Sequence, residues 1–236
     1  MKRQDRRTDD MRLIHIDAGV PSFAEGACLF TQGHTRVLCL ATVEKKLPAW
    51  KEQVGGGWIT AEYAMLPRSN RQRTPREAVV GKQSGRTMEI ARLIGRSLRA
   101  CVDLSQLNGL TITVDCDVLQ ADGGTRCASI SGAYVALRKA LEKAVELGLL
   151  SSLPAMKQVA AVSVGKSGED FLLDLDYLED SGADVDLNLV MLYPDQLVEV
   201  QGTSEGATFT QEELSQMVRL AAGGVTQIFE KQREAL

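Results

Sequence analysis

Residues 111–149 read TITVDCDVLQ, then ADGGTR, then CASISGAYVALRKALEKAVELGL, and these three pieces decide the fold. In the first, Ile112, Val114, Cys116 and Val118 alternate with polar residues, which is the period of a strand buried on one side. In the last, Ile130, Ala133, Tyr134, Leu137, Leu141, Ala144 and Val145 fall on one helical face. The joint between strand and helix is Gly123, Gly124, Thr125 and Arg126.

A glycine pair ahead of a helix leaves the backbone amides unscreened. The first turn of a helix carries unpaired N–H donors and a partial positive charge, so an anion such as phosphate fits there. Thr125 adds a hydroxyl. Arg126 adds a forked cation that matches phosphate oxygens. The competing reading is a tight turn with Thr125 merely capping the helix. No G-x-x-x-x-G-K-[ST] occurs, so this is not a P-loop, and it is not a dinucleotide fingerprint.

Working outward, the charges are unevenly spread. The chain of 236 residues has a net charge of −4, yet residues 68–99 hold eight Arg and one Lys against two Glu. That contrast suggests a local polyanion site within a mildly acidic protein. Arg68, Arg71, Arg73 and Arg76 lie in a long polar, proline-bounded stretch, residues 67–82. It reads either as a solvated surface loop or as a clamp on an RNA backbone. Residues 86–102 form an amphipathic helix with a stripe of Ile90, Ile94, Leu98 and Cys101. Arg86 stands at its start, against the dipole, where an anion would explain it. Arg92, Arg96 and Arg99 share one face and repel one another unless RNA or a partner's carboxylates lie against them.

Two histidines, His15 and His34, exclude a histidine metal cluster and give little support to a Ser–His–Asp triad. Acid–base or metal chemistry must then rest on carboxylates. The segment DLDYLEDSGADVDLN, residues 174–188, supplies them. With an extended chain from residue 184, Asp184, Asp186 and Asn188 share one face, Val185, Leu187 and Leu189 the other. Asp180 is expected in a turn loosened by Gly182. Clustered carboxylates repel, and a hard divalent cation relieves that repulsion. The plainer reading is an acidic edge loop.

The remaining chain reads as follows. Residues 1–12 are a charged arm; residues 13–30 are expected as a short strand, a turn at Gly19-Val20-Pro21 and a second strand after Gly26, with further strands over 35–43 and 58–66. A hairpin over 159–176 turns around 165–168, and two strands over 189–201 flank Tyr193-Pro194-Asp195. Residues 202–206 form a turn. Thr210 caps a last helix with Glu213 in a capping box, and Gly223-Gly224 is expected to kink or split it. The five cysteines form no zinc spacing and read as reduced, buried residues. No run of about 18 apolar residues occurs, and no signal-type apolar core follows the charged start, so a cytoplasmic protein is expected.

A phosphate seat, an arginine block and a carboxylate group are the parts of phosphoryl transfer. Together they fit attack of inorganic phosphate on a phosphodiester. The chain also resembles the bacterial ribonuclease PH family over essentially its whole length. The resemblance is carried by GWITAEYAMLPRS (57–69), GKQSGRTMEIARLIGRSLRA (81–100), VDCDVLQADGGTR (114–126), AAVSVG (160–165), residues 179–188 and VEVQGTSEG (198–206). It implies an α+β fold, mixed β-sheets packed with helices around a βαβα-like core, as one domain over 1–236. It implies a phosphate-dependent 3′→5′ exoribonuclease that trims tRNA precursors, releases nucleoside diphosphates and runs in reverse. Phosphate is then held by Arg86, Gly124, Thr125 and Arg126. Magnesium or manganese falls to Asp180 and Asp186, which also carry the acid chemistry, with the part of Asn188 open because related enzymes place a lysine there. RNA contacts fall to Arg68, Arg71, Arg73 and Arg76, with Arg92 and Arg99 added from the helix face. The resemblance further implies a ring of six subunits, a trimer of dimers.

Two departures stand out. The family's R-P-x-G-R reads Lys2-Arg3-Gln4-Asp5-Arg6. Its D-T-D-M-N reads Asp184-Val185-Asp186-Leu187-Asn188, changed at positions expected to face away from the carboxylates. The alternatives are a ring subunit that binds RNA without catalysis, and a metal-dependent hydrolase that releases monophosphates without phosphate.

Overall fold

The computed structural model describes residue 3, residues 6–205 and residues 207–236. The departure at Lys2–Arg6 and the end of the expected turn at Gly206 lie partly outside the described residues. The first half contains β1 (Ile14–Asp17), β2 (Gly26–Gln32), β3 (Thr35–Glu44), a single turn α1 (Ala49–Glu52), β4 (Trp58–Met65), a second single turn α2 (Glu77–Val80), α3 (Gly85–Cys101), β5 (Thr111–Gln120) and α4 (Thr125–Glu146). The second half contains β6 (Val159–Ser167), β7 (Asp170–Leu173), α5 (Tyr177–Gly182), β8 (Val185–Leu192), β9 (Gln196–Ser204) and α6 (Gln211–Ala235).

Two sheets result. The first runs β1-β2-β3-β5-β4, antiparallel except for the parallel pair β4–β5, whose crossover is α3. A parallel pair needs such a crossover, and a helix is the usual one. The second sheet runs β7-β6-β8-β9, antiparallel throughout. In β5, Ile112, Val114, Cys116 and Val118 are buried and the intervening residues face outward, as the alternation predicts.

The two sheets meet at α4. The pattern predicts one apolar face, but every residue from Cys127 to Leu137 is buried. The helix packs on β2, β3 and β5 and also on β6. Small residues allow that approach. A Cβ on Gly132 would lie 2.8 Å from Phe30 Cβ and 2.9 Å from Cys39 Sγ. Ala, Ser and Gly on the far side carry little hydropathy, so the pattern hides a helix enclosed all round.

Elsewhere the structure corrects the sequence in detail. α6 runs unbroken through Gly223-Gly224. Gly224 is there for closeness, since a Cβ would meet Leu173 Cδ1 at 2.8 Å and Met11 Sδ at 3.0 Å. β6 continues through Gly165, against Leu175, and the hairpin turns at Gly168, where φ is +60°. Residues 202–204 extend β9 rather than turning. The five cysteines are free and buried.

The charged arm is not a solvated tail. Arg3 donates to Glu179 through Nε at 2.6 Å and Nη2 at 2.9 Å, and Arg6 joins the same carboxylate at 2.8 Å. Arg12 pairs with Asp174. These partners stand more than 160 residues away in sequence, so local charge reads as exposure where it is burial.

Candidate active site

The joint between β5 and α4 is built by two left-handed glycines, Gly123 at φ +76° and Gly124 at φ +65°. Glycine adopts that conformation without steric cost. At Gly123 there is a second demand: a Cβ would lie 2.5 Å from the Leu175 carbonyl and 2.6 Å from the backbone of Asp176. The glycine turn therefore lies in contact with the start of α5. Thr35 Oγ1 holds it by donating to the Gly123 carbonyl at 2.7 Å and accepting from the Asp122 amide at 2.9 Å.

Gly124 is the N-cap of α4, with no side chain capping it. The first amides of the helix have no carbonyl partner within it, and they open on a cleft of about 590 Å³. Thr125 does not cap the helix. Its hydroxyl is 3.0 Å from the Tyr63 hydroxyl, behind the turn. Arg126 enters the cleft held by Gln201, whose Oε1 accepts from Nη1 at 2.5 Å, with Glu89 Oε1 3.7 Å from the same nitrogen. Gln201 in turn donates to Glu89 at 2.8 Å.

Facing this turn are Asp180 and Asp186. Asp180 sits on a helix, not in a loose turn. Asp176 and Glu179 close a capping box at the start of α5, and the Asp180 amide donates to the Asp176 carbonyl at 2.9 Å. Six residues are too few to show helical periodicity, but the D-x-x-E spacing from Asp176 to Glu179 was legible as a cap. Asp186 projects from β8 between the wholly buried Val185 and Leu187.

Burial raises the carboxyl of Asp180 above its ordinary value, the charge of Asp186 raises it further, and Arg126 and Arg86 act the other way. Burial also raises Asp186, against Arg126, with Glu205 adding to the rise. Two carboxylates in one cleft, Asp186 half-buried and Asp180 exposed at its rim, are thus short of positive charge.

Asp184 has left this group. Its Oδ2 accepts from the Gly168 amide at 2.8 Å, bracing the β6–β7 turn. Asn188 lines the cleft, but its Oδ1 takes the Cys127 thiol at 3.2 Å.

The donor set fits a small hard cation. No group of three or more His, Cys, Asp or Glu side chains suited to a metal occurs among the described residues. Asp180 and Asp186 make a pair. A magnesium ion is commonly held by one or two carboxylates, with water and substrate phosphate filling the rest.

Arg86 stands in the first turn of α3, exposed at the cleft rim, with no ion pair among the described residues. Ser84 caps that helix by accepting from the Thr87 amide at 3.1 Å. Glu77 ties α2 to the same turn through Thr87 Oγ1 at 2.7 Å. Arg68, Arg71, Arg73 and Arg76 are all exposed, on a loop pinned by Thr74 N to Pro67 O and by Ala121 N to Ser69 O, each 2.9 Å. Arg76 lines an adjoining cavity of about 790 Å³, which shares Arg86 with the cleft.

The α3 face is not left to self-repulsion. Arg96 pairs with Glu199 at 2.7 Å. Arg99 lies over the Trp58 ring, 4.4 Å from its centroid, and donates to the Ile59 carbonyl at 2.8 Å. Arg92 is exposed. Neither Arg92 nor Arg99 lines the cleft. Glu89, Gln201, Glu205 and Tyr177 line the cleft and were not named as candidate site residues, because they reach it from separate elements; Tyr63 supports it from behind through Thr125.

Comparison with known proteins places the chain in a family and a fold. The family model described as "3′ exoribonuclease family, domain 1" matches residues 10–141, and "3′ exoribonuclease family, domain 2" matches residues 157–224. A curated ribonuclease PH from Methylocella silvestris is 50% identical over 236 residues, covering 100% of both chains. A solved structure described as the Archaeoglobus fulgidus exosome with RNA bound to the active site superposes with a TM-score of 0.81. It is 24% identical and covers 96% of this chain and 90% of that one. An archaeal exosome core gives a TM-score of 0.78 at 22% identity, covering 97% of this chain and 89% of that one. No helix among the described residues is long and apolar enough to cross a membrane.

Proposed function

The chain belongs to the ribonuclease PH family of 3′ exoribonucleases, and from that premise we propose that it shortens RNA from the 3′ end by phosphorolysis. The observation that carries this is the facing of an uncapped α4 N-terminus, flanked by Arg126, toward Asp180 and Asp186 across one cleft. A hydrolase has no use for a second anion seat.

The helix terminus and the guanidiniums of Arg126 and Arg86 hold orthophosphate and aim one of its oxygens at the terminal phosphodiester. That oxygen forms a bond to phosphorus as the bond to the departing 3′-oxygen breaks. A nucleoside diphosphate leaves, and the RNA, one nucleotide shorter, ends in a 3′-hydroxyl. The departing oxygen needs a proton, and Asp180 and Asp186 are the two carboxyls placed to manage it. Magnesium or manganese, held by these two aspartates, supplies neutralisation of the charge that builds on the scissile phosphate. The reverse reaction adds nucleotides from diphosphates through the same contacts.

The cellular substrate is the 3′ extension of tRNA precursors, guided by Arg68, Arg71, Arg73 and Arg76, in a hexameric ring in the cytoplasm. This part rests on the family resemblance together with the exposure of those four arginines.

The test is one incubation. A tRNA with a 3′ extension is mixed with the protein and magnesium, with phosphate present or omitted, and the mononucleotide is identified. Diphosphates that appear only with phosphate support the proposal. Monophosphates without phosphate make it a hydrolase, and binding with no release makes it a non-catalytic subunit.

A further inference from the structure

We propose that the ring of Tyr177 is a stacking platform for the nucleobase at the 3′ end of the RNA, a subsite beside the phosphate seat. This rests on the phosphorolytic reading and says which part of the substrate that side of the cleft receives.

Tyr177 is the first residue of α5 and 54% exposed. It lines the cleft together with Gly123, Gly124, Arg126 and Asp180, and it is the one aromatic residue lining it among the described residues. Other rings have other work. Trp50 meets Trp58 edge-on, Tyr193 packs on Phe229 beneath Arg233, and Tyr63 is buried against Thr125. Tyr177 has no ring partner and no side-chain hydrogen bond among the described residues. A half-exposed, unpartnered ring in a cleft whose other lining side chains are charged, polar or small, with Met65 the one large apolar exception, invites a flat apolar ligand.

Its position is fixed before any substrate arrives. The backbone at Asp176 touches the turn at Gly123, and the capping box from Asp176 to Glu179 holds the first turn of α5. The ring is therefore attached one residue from the wall of the phosphate seat. A terminal nucleotide whose phosphate lies between that seat and Asp180 projects its base along this wall.

The reaction gives the chemical reason. An exonuclease that removes whichever nucleotide comes next must grip a base without reading its edges. A π-face serves, since every base has one, and base–aromatic stacking is sequence-tolerant.

The experiment compares the wild-type protein, Tyr177→Ala and Tyr177→Phe on two short oligoribonucleotides, one with an ordinary 3′ nucleotide and one abasic at that position. Tyr177→Ala is expected to raise the RNA KM roughly 5- to 150-fold, the range of one lost stack, with the phosphate KM unmoved. Tyr177→Phe restores it. Removing the base from the substrate costs the wild-type protein a similar factor and costs Tyr177→Ala little more. An equal abasic penalty in both proteins, or an unchanged RNA KM in Tyr177→Ala, overturns the proposal. Should the wild-type protein release no diphosphate, the phosphorolytic reading fails by itself. Equilibrium titration of the same two oligonucleotides onto the same variants then decides the stacking by the same criterion.

Discussion

Arg12 clasps Asp174 three times: its amide donates to Oδ2 at 2.8 Å, Nε to Oδ2 at 3.0 Å and Nη2 to Oδ1 at 2.6 Å. Nη1 of the same guanidinium donates to the carbonyl of Asp122, immediately before the glycine turn. Asp174 lies two residues before the N-cap of α5. One arginine thus joins the phosphate side of the cleft to the aspartate side, which come from different sheets. The Asp174 side chain is 1% exposed. Removing one member of a buried, hydrogen-bonded pair costs about 3–5 kcal/mol where the other charge is left uncompensated, but Arg6 Nη1 still stands 3.6 Å from Asp174 Oδ2. Arg12→Ala is therefore expected to lose a part of that in urea denaturation. At temperatures where the variant stays folded, it should also show a raised phosphate KM. Full activity in a folded variant would make the clasp purely structural.

The same arm makes the protein sensitive to acid. Burial pushes the carboxyls of Asp174 and Glu179 up, but Arg12, Arg3 and Arg6 outweigh it and hold both below their ordinary values of 3.8 and 4.5. A carboxylate depressed in the folded state stabilises above its unfolded pKa, and that stabilisation is lost as pH falls through the folded one. Stability should therefore hold down to about the ordinary carboxylate range and drop steeply beneath it. In Asp174→Asn the slope of unfolding free energy against pH below that range should be shallower. An unchanged slope would place the acid sensitivity elsewhere.

How much of this was legible beforehand depended on whether the signal was local. The strand, glycine pair and helix from Thr111 to Glu146 were readable, because period and turn chemistry lie within one window. So was the start of α6 at its Thr210 cap. The arm was legible as charged but its partners were not, because Arg3, Arg6 and Arg12 find their carboxylates across the fold. Asp184 satisfied the same parity as Asp186, and only the Gly168 amide, fixed by the hairpin, removes it from the cleft. Gln201 and Glu89 orient Arg126 from two further elements, which no single stretch of sequence reveals.

Asp180 and Asp186 are both raised by burial, so their ionised forms oppose folding at neutral pH. For a carboxyl raised in the folded state, the penalty is present above the folded pKa and disappears as pH falls through it. Asp180→Asn should therefore raise the melting temperature slightly, by an amount kept small because the Asp180 carboxyl is exposed to screening water, while turnover is lost. Magnesium should raise the melting temperature of the wild-type protein, because a ligand of the folded state alone stabilises it by mass action. It should have little effect on Asp180→Asn combined with Asp186→Asn. An equal magnesium shift in both proteins would move the metal to another site.

Arg126 is oriented by Gln201 and approached by Glu89, so its guanidinium is aimed rather than free. A hydrogen bond to a charged group contributes about 1.5–3 kcal/mol, or roughly a 10- to 150-fold rise in phosphate KM for Arg126→Ala. The KM for RNA should move far less. Gln201→Ala should reproduce a part of the effect, since it leaves the charge and removes its aim. An unchanged phosphate KM in Arg126→Ala would exclude this residue from the seat.

The loop arginines act at longer range. Arg68, Arg71, Arg73 and Arg76 are exposed, form no ion pair among the described residues, and hang from a loop tied at both ends. Cations so placed hold a phosphate backbone by releasing its counterions, and each contact steepens the dependence of log affinity on log salt by about 0.9 on a duplex and 0.7 on a single strand. Replacing all four by alanine should weaken tRNA binding and flatten that slope by up to the number of contacts removed. Turnover of an oligonucleotide too short to reach the loop should persist, because the cleft keeps Arg86, Arg126 and both aspartates. Loss of short-oligonucleotide turnover in a folded variant would put the loop in the reaction itself. An unaltered salt slope would mean that the four guanidiniums never meet the RNA.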